Sequence, residues 1–327
     1  MRAMILAAGL GTRLRPFTEE TPKPLLPVAN RPQIQYVLEL LRRAGVREVV
    51  VNLHHMAEQV RSSVGESYRG EMRITYSIEP EILGTGGGLK KVERFFADEP
   101  FILANADALM EADLGEAVRR HGDTGAAATM VVREWDPAGG YGRVEVDGEG
   151  MVRRILGRAR GEGLTPVIFT GIHILSRKIF RYLPAGKPSC ITRDGYLAML
   201  AAGERVAAYR VAGYWRDIGT LASYFDANMD FLRGEMPSHC RDTAAPEPVA
   251  TQRSRFPGVE FVPPVLVGPA CAIGAGSVIG PGVVLGEGCA VGNGCRLTGV
   301  VALPGAQYAP GETARRCIRS RGSSAVV

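Results

Sequence analysis

A repeat of period six near the C-terminus constrains the fold of this chain more than any other feature. An apolar residue recurs at every sixth position, and these residues are Val267, Ile273, Ile279, Leu285, Val291, Leu297 and Leu303. Glycine follows the first five of them, and the fifth position of each hexad is small or β-branched. Hexads in register over this length predict a stack of equivalent units, each burying its apolar face against the next.

These hexads resemble the hexapeptide repeats of left-handed parallel β-helices, in which one coil takes three hexads. The resemblance predicts a short β-helix over residues 259–312, with Cys271 and Cys289, 18 residues apart, stacked in neighbouring coils. We expect these cysteines to be small packed core residues without a redox or metal-binding role. The unpaired edges at the ends of so short a helix predict a homo-oligomer, because a second copy of the chain would cover an edge.

Residues 1–232 alternate strand-length apolar runs with helical patterns. We predict strands at 4–8, 47–52, 100–104 and 126–132, and a helix at 33–44 that ends before Gly45. This alternation predicts an α/β, Rossmann-like domain with a doubly wound, mostly parallel sheet, whose ligands bind beyond the carboxyl ends of the strands. A proline-containing linker is expected at 233–258, and a basic tail at 313–327.

The segment after the first predicted strand has the composition of an anion-binding turn. Gly9 and Gly11 let the backbone approach a ligand, and successive N–H groups in such a turn form a concave anion site. Arg13 and Lys23 add positive charge for phosphate oxygens. Leu14 stands where a dinucleotide-binding fingerprint has its third glycine, and the G-K-[ST] ending of a P-loop is absent.

The longer string G-x-G-T-R-L-x-P-x-T-x-x-x-P-K-P, from Gly9 to Pro24, resembles the signature of the sugar-1-phosphate nucleotidyltransferases. Members of this family transfer a nucleotidyl group from an NTP to a sugar 1-phosphate and release pyrophosphate, with Mg²⁺ as cofactor. The resemblance implies that Arg13 and Lys23 hold phosphates and are catalytic. It also implies a nucleotide site formed by Leu6, Ala8, Gly9, Gly11, Thr12, Arg13, Glu79, Gly84, Thr85 and Gly87.

Two aspartates lie in strings similar to the metal-binding elements of the family. Asp107 ends the string N-A-D, similar to the family's N-G-D, and Asp217 lies in W-R-D-I-G-T, similar to its W-x-D-I-G-T. The resemblance implies that both carboxylates hold Mg²⁺ and that Asp107 is catalytic. In proteins Mg²⁺ usually takes one or two carboxylates and keeps water and substrate phosphates as its other ligands.

The glycine-rich string from Glu79 to Gly88 is similar to the family's base-reading loop. An ionised Glu79 accepts hydrogen bonds, so it suits N1–H and the exocyclic amine of guanine, or N3–H of uracil or thymine. The alternatives are a surface charge for Glu79 and a plain flexible loop for the glycines.

Two further strings resemble the sugar contacts of the family, namely Y-G-R-V around Gly142 and F-T-G-I around Thr170 and Gly171. Many members carry an E-K-P triplet between them, whose lysine binds the sugar phosphate, and this triplet is missing here. Arg158 is the candidate replacement, and an exposed basic loop is the alternative.

We therefore predict a Mg²⁺-dependent enzyme that forms an NDP-sugar from GTP and mannose 1-phosphate or a related hexose or heptose phosphate. A uridylyl- or thymidylyltransferase acting on another sugar or amino-sugar phosphate is the alternative. A hexapeptide acyltransferase is disfavoured because no histidine follows His239, and a nucleotide sensor is disfavoured because both cations and both aspartates are present.

Other features of the sequence indicate the cellular location and the kinds of partner. No apolar run approaches membrane-spanning length, no export signal is evident, and the cysteines lack zinc or disulfide spacing. These features predict a cytoplasmic protein that does not bind a membrane. The tail carries Arg315, Arg316, Arg319 and Arg321 without interleaved aromatic residues, so we expect a solvated end and no nucleic-acid partner.

Overall fold

The computed structural model describes residues 1–157, 162–237, 240 and 255–327. Contacts divide the chain into two units, Met1–Leu10 with Ile34–Asp217, and Gly11–Gln33 with Ile218–Val327. The strands are β1 (Arg2–Leu6), β2 (Pro27–Val28), β3 (Arg31–Pro32), β4 (Glu48–Leu53), β5 (Ser67–Tyr68), β6 (Met72–Ile78), β7 (Phe101–Asn105), β8 (Ala108–Met110), β9 (Ala128–Glu134), β10 (Arg143–Val146), β11 (Val152–Ile155), β12 (Thr165–Leu175), β13 (Val206–Arg210), β14 (Trp215–Asp217), β15 (Glu260–Phe261), β16 (Val265–Val267), β17 (Ala272–Ile273), β18 (Val278–Ile279), β19 (Val283–Leu285), β20 (Ala290–Val291), β21 (Arg296–Ala302), β22 (Gln307–Tyr308), β23 (Thr313–Arg319) and β24 (Ser324–Val326). The α-helices are α1 (Gln33–Arg43), α2 (Ala57–Val64), α3 (Gly84–Lys91), α4 (Leu114–Thr124), α5 (Leu197–Ala201) and α6 (Leu221–Arg233).

The first unit is built on one sheet with a reversal of strand order at its centre. Strand β1 pairs in parallel with β4 and with β7, and β4 pairs in parallel with β6. The chain therefore runs outward from β1 through β4 to β6 and returns as β7 on the other side of β1. In doubly wound sheets such a reversal opens a crevice at the carboxyl ends of the two central strands, and ligands bind there.

The predicted elements of this unit are found within two residues of their expected positions. The strands at 4–8, 47–52, 100–104 and 126–132 are β1, β4, β7 and β9, and the helix at 33–44 is α1. The apolar stripe of α1 is buried, which explains why its spacing predicted a helix. Gly45 follows α1 with a φ of +80°, the left-handed conformation that ends a helix.

The fold class is confirmed, and the sheet is mixed because of one long strand. Strand β12 runs antiparallel to β7, β9 and β10, while β13 pairs in parallel with β9. A separate two-stranded antiparallel ladder joins β8 to β14. No described helix combines the length and the apolarity needed to cross a bilayer.

The second unit contains the predicted β-helix. Successive coils pair in parallel with a spacing of 18 residues at first, with Val265 opposite Val283 and Ala272 opposite Ala290. The spacing then becomes 17 residues, with Val283 opposite Val300. The hexad positions form the core, which contains Val267, Ile279, Leu285, Val291 and Leu297. The register also confirms that Cys271 and Cys289 stack in neighbouring coils.

Residues 313–327, expected to be a solvated tail, form strands of the β-helix instead. Strand β23 pairs in parallel with β21 and in antiparallel with β24. Cys317 is buried in the core, and the guanidinium of Arg319 lies 4.5 Å from the ring centroid of Tyr308 and 2.6 Å from Glu312. The expectation of a tail was wrong because the 17-residue spacing of the later coils breaks the period of six that located the helix.

The second unit also contains residues 11–33 and helix α6. The division of the chain by contacts therefore does not follow the predicted domain boundary at 232. The N–H of Ala29, in the turn between β2 and β3, donates to Oδ1 of Asn228 on α6 at 2.8 Å. Nδ2 of Asn30 donates to the carbonyl oxygen of Leu285 at 2.9 Å. These contacts join the hairpin both to the helix and to the β-helix. Most of the predicted linker at 233–258 lies outside the described residues.

Candidate active site

A cavity of about 220 Å³ lies in the first unit at the carboxyl ends of β1, β4 and β7. Its lining residues come from the ends of these strands and from the segment that follows β6, and they are Leu6, Ala8, Gly9, Asn52, Ile82, Gly84, Thr85, Asn105 and Asp107. The cavity therefore lies at the reversal of strand order, where a doubly wound sheet binds its ligands. The segments after β1, β6 and β7 thus share one rim.

A larger cavity of about 650 Å³ lies within the second unit. Its walls combine apolar side chains, such as Leu25, Val267 and Leu303, with polar and charged ones, such as Glu20 and Glu287. The smaller cavity is the better candidate for the active site, because it lies at the strand reversal, where a doubly wound sheet binds its ligands.

The two predicted metal-binding aspartates are brought together by the ladder of β8 and β14. Asp217 pairs with Ala108, the residue that follows Asp107. Asp107 is the residue immediately before β8, so the ladder brings the backbones of the two aspartates close together. Both side chains are half-buried, so each keeps contact with solvent.

This pair of carboxylates fits a divalent cation. Oxygen ligands of this kind suit Mg²⁺, which needs only one or two of them when substrate phosphates and water complete its shell. No group of three or more His, Cys, Asp or Glu side chains within the described residues forms a fuller metal site. The chain thus offers a partial ligand set of the kind used with phosphate substrates.

Glu79, predicted to accept hydrogen bonds from the base, is buried in an internal network. Its side chain is 1% exposed, and the side chain of Asn52 is 2% exposed. Oε1 accepts from Nδ2 of Asn52 at 2.8 Å, and Oε2 accepts from the N–H of Leu83 at 3.0 Å. Leu83 is the N-cap residue of α3, where the helix dipole favours a negative charge. Glu79 is therefore not a surface charge, and both of its carboxylate oxygens accept hydrogen bonds within the protein.

Asn52 links this network to the turn that follows β1. Its Oδ1 accepts a hydrogen bond from the N–H of Ala7 at 2.8 Å. A Cβ atom on Gly88 would lie 2.6 Å from Oε1 of Glu79 and 2.8 Å from Nδ2 of Asn52, so glycine is required there. One buried chain of hydrogen bonds thus connects the ends of β1, β4 and β6 to α3. Asn52 was not predicted as a site residue, although a polar residue near the carboxyl end of a central strand could have indicated one.

The glycine-rich string is the start of helix α3 and not a flexible loop. The N–H groups of Gly86 and Gly87 donate to the carbonyl oxygen of Ser189 at 2.8 and 3.4 Å. A Cβ atom on Gly84 would lie 2.6 Å from that oxygen, and one on Gly87 would lie 2.6 Å from the carbonyl oxygen of Lys187. The glycines therefore allow a close approach of backbone to backbone. Gly84 and Thr85 line the cavity, whereas the N–H of Gly87 donates to the backbone of Ser189.

Two of the predicted sugar-contacting residues, Thr170 and Gly171, lie near the aspartate pair, and each contacts other groups of the protein. The hydroxyl of Thr170 donates to the carbonyl oxygen of Val131 at 2.8 Å, and the carbonyl of Thr170 accepts from Nε1 of Trp215 at 2.9 Å. Gly171 has a φ of +94°, and a Cβ atom there would lie 2.9 Å from Nδ2 of Asn105. Thr170 therefore positions Trp215, and Gly171 leaves room for the cavity-lining Asn105.

Trp215 and Tyr141 form an aromatic pair next to Asp217. Their ring centroids are 4.9 Å apart in an edge-on arrangement. Trp215 and Asp217 are two residues apart on β14, so their side chains share a face of the ladder. Gly142 is exposed beside this pair. Arg158, the predicted replacement for the missing lysine, lies outside the described residues.

The remaining predicted residues, Gly11, Thr12, Arg13 and Lys23, belong to the second unit. Gly11 has a φ of +64°, and a Cβ atom there would lie 2.9 Å from Cγ2 of Thr18 and 3.1 Å from Cβ of Lys23. Its carbonyl oxygen accepts from the hydroxyl of Thr18 at 3.0 Å. Thr12 and Arg13 are exposed, and Lys23 is half-buried. Gly11 thus permits the tight turn from which these polar side chains project.

Comparison with known proteins gives a matching family model for each of two parts of the chain. Residues 2–234 match the family model described as nucleotidyl transferase, and residues 264–299 match the bacterial transferase hexapeptide model of six repeats. A UTP–glucose-1-phosphate uridylyltransferase from Synechocystis is 33% identical over 82% of this chain and 69% of its own length. A mannose-1-phosphate guanylyltransferase from Mycobacterium tuberculosis is 32% identical over 72% of this chain and 66% of its own length. The chain thus spans about two thirds of the length of these relatives.

A solved structure also resembles this chain. The crystal structure of HddC from Yersinia pseudotuberculosis, complexed with GMP-PN, superposes with a TM-score of 0.60 at 28% identity. The match covers 70% of this chain and 99% of that one.

Proposed function

The chain belongs to the nucleotidyl transferase family, and on that premise we propose that it transfers a nucleotidyl group from GTP to mannose 1-phosphate or a related hexose or heptose phosphate. The products are an NDP-sugar and pyrophosphate. The observation that carries this proposal is the ladder that pairs Asp217 with Ala108, the residue next to Asp107, which lines the cavity together with Gly9 and Thr85. Guanine is favoured by the guanylyltransferase relative and by the protein solved with GMP-PN, and mannose is favoured by the guanylyltransferase.

The proposed mechanism relies on positioning and charge, because phosphoryl transfer needs little covalent help from protein. Asp107 and Asp217 hold Mg²⁺, which when bound neutralises charge on the phosphates. The turn at Leu6, Ala8 and Gly9 accommodates the nucleotide at the cavity rim, with Gly84 and Thr85 on the facing side. Arg13 and Lys23 supply cations for phosphate oxygens, as their place in the signature predicts. The sugar lies near Trp215, whose orientation is set by Thr170.

A second candidate is a uridylyltransferase acting on glucose 1-phosphate. It is favoured by the Synechocystis relative, which covers more of this chain than the guanylyltransferase does. The buried carboxylate of Glu79 does not separate the two, since its oxygens accept hydrogen bonds from Asn52 and Leu83.

A panel of substrates tests the proposal and separates the candidates. Pyrophosphate release is measured with GTP, UTP, dTTP, ATP and CTP, each combined with mannose, glucose, N-acetylglucosamine and a heptose 1-phosphate. We expect the highest kcat/KM with GTP and mannose 1-phosphate or its relatives. A maximum with UTP and glucose 1-phosphate would establish the second candidate. Absence of pyrophosphate release with every pair would refute nucleotidyl transfer.

Gly9 offers a direct test of the nucleotide cavity. A Cβ atom at Gly9 would meet no protein atom within 4 Å, yet the residue lines the cavity. Gly9→Ala is therefore expected to unfold at the wild-type denaturant midpoint and to raise KM for the NTP. Gly11→Ala is the contrast, because a left-handed φ costs an alanine about 1–2 kcal/mol of stability. An unchanged KM for Gly9→Ala would show that the nucleotide does not occupy this cavity.

The strand edges of the β-helix support a proposal about the oligomeric state of the protein. We propose a homo-oligomer in which strand edges of the β-helix, such as β22 at the end of its sheet, meet a second copy. Light scattering checks this, and a particle with the mass of one chain would contradict it.

We propose that the protein is cytoplasmic. All six cysteines lie in the described residues and form no disulfide, which fits a reducing cytoplasm.

A further inference from the structure

Two cysteines stacked on one face of the β-helix form a pair that the proposed reaction does not use. Strands β17 and β20 pair with Ala272 opposite Ala290, so the preceding residues, Cys271 and Cys289, are neighbours across the ladder. The N–H of Ala272 donates to the carbonyl oxygen of Cys289 at 2.9 Å, which fixes the register beside the thiols. Adjacent strands lie about 4.8 Å apart, within the Cα separation of about 4.4–6.8 Å that a disulfide spans.

The thiols point in a common direction but differ in access. Sγ of Cys271 lies 3.1 Å from the carbonyl oxygen of Gly286, and Sγ of Cys289 lies 3.3 Å from that of Leu303. Each thiol thus points toward the next coil, and for Cys271 the next coil carries Cys289. Cys289 is fully buried, whereas Cys271 is half-buried and reachable by a small oxidant.

The environment also makes the two sulfurs chemically different. A hydrogen bond with the Cys289 thiol, helped by the charge of Arg255, lowers the pKa of Cys271 to about 7 against the opposing effect of burial. The same hydrogen bond, together with burial, raises the pKa of Cys289. An accessible thiolate beside a protonated thiol is the arrangement in which one sulfur reacts first and its neighbour resolves the product.

We propose that Cys271 and Cys289 form a reversible disulfide when the protein meets hydrogen peroxide. The Cys271 thiolate attacks one peroxide oxygen and breaks the O–O bond, which leaves a sulfenic acid on Cys271 and a hydroxide that becomes water. The Cys289 sulfur then attacks the Cys271 sulfur and gives up its proton, and the departing hydroxyl leaves as a second water. Two thiols are oxidised and one peroxide is reduced. This property is independent of nucleotidyl transfer and departs from the expectation of inert core cysteines.

The test uses the full chain with a small excess of hydrogen peroxide, followed by alkylation, intact mass and non-reducing peptide mapping. We expect the protein to lose the mass of two hydrogen atoms and to yield one cross-linked peptide containing Cys271 and Cys289, reversed by dithiothreitol. The midpoint of thermal unfolding should rise on oxidation, because a cross-link restricts the unfolded chain. Cys289→Ser should instead retain a sulfenic acid on Cys271 that reacts with dimedone.

Cys295→Ser is the matched control. Cys295 is also buried in the β-helix, but its N–H donates to Oγ of Ser277 in the adjoining coil, and its register neighbour on the other side is Glu312. This variant should form the cross-link as the wild type does. The proposal is overturned if wild-type protein keeps all its thiols alkylatable, gains oxygen without a cross-link, or links a different pair. The wild-type peptide map decides this even where a variant does not fold.

Discussion

Asp107→Asn is expected to lower kcat by about a thousandfold or more while the protein keeps its fold. The substitution preserves the shape of the side chain and removes one of the two carboxylates that we propose hold Mg²⁺, which lie close together at the ladder of β8 and β14. A metal ion contributes several kcal/mol to the stabilisation of phosphoryl charge, and about 4 kcal/mol corresponds to a thousandfold in rate. Steady-state pyrophosphate release measures the effect, and circular dichroism checks the fold.

Asp113→Asn is the matched control for this substitution. Asp113 is an exposed aspartate three residues after β8, and its side chain caps α4 by accepting from the N–H of Glu116. Asparagine caps helices about as well as aspartate, so turnover should remain at the wild-type level. A catalytic role for Asp107 is ruled out if Asp107→Asn turns over as fast as this control. A nucleotide sensor would behave in that way.

Glu79→Ala is expected to reduce the free energy of unfolding by roughly 2–5 kcal/mol, because it leaves hydrogen-bond donors of Asn52 and Leu83 without their acceptor. This is a large part of the 5–15 kcal/mol that stabilises a typical domain. The loss of stability for Glu79→Gln should be intermediate. The amide oxygen of the glutamine can accept one hydrogen bond, but its NH₂ group would face the second donor. Urea unfolding followed by fluorescence measures the loss.

Glu81→Ala serves as the control, because its side chain is exposed two residues further along the chain. Its denaturant midpoint should match that of the wild type. Equal midpoints for Glu79→Ala and Glu81→Ala would show that the buried network does not support the fold. If Glu79 instead reads the base directly, Glu79→Gln would change the preference among NTPs while leaving stability intact.

Local periodicity and the signature strings predicted the architecture well. The hexads from Val267 onward located the β-helix, because each apolar position is repeated in the core of the stack. The alternation of strands and helices predicted a doubly wound sheet, and the order of β1, β4 and β7 confirms it. Asp107 and Asp217 were predicted to act together, and the ladder of β8 and β14 makes them neighbours.

The finer contacts required knowledge of residues distant in sequence. Glu79 was predicted to read the base because its string resembles a base-reading loop, and its hydrogen bond with Asn52 could not be inferred because Asn52 lies on another strand. The glycines of α3 were predicted to form a base-reading loop, and their close packing could not be inferred because the Ser189 backbone that they accommodate is about a hundred residues away. The strand at 313–319 escaped prediction because a single-residue change in coil length shifts the repeat.

The central claim is that Asp107 and Asp217 form one metal site that operates with a bound triphosphate. Electron paramagnetic resonance of Mn²⁺, a substitute for Mg²⁺ in oxygen sites, measures metal binding with the preferred NTP present. For Asp217→Asn we expect Mn²⁺ affinity to fall by more than the roughly 10–100-fold loss seen when only an outer-shell partner is removed. Wild-type Mn²⁺ affinity in Asp217→Asn and in Asp107→Asn would contradict it.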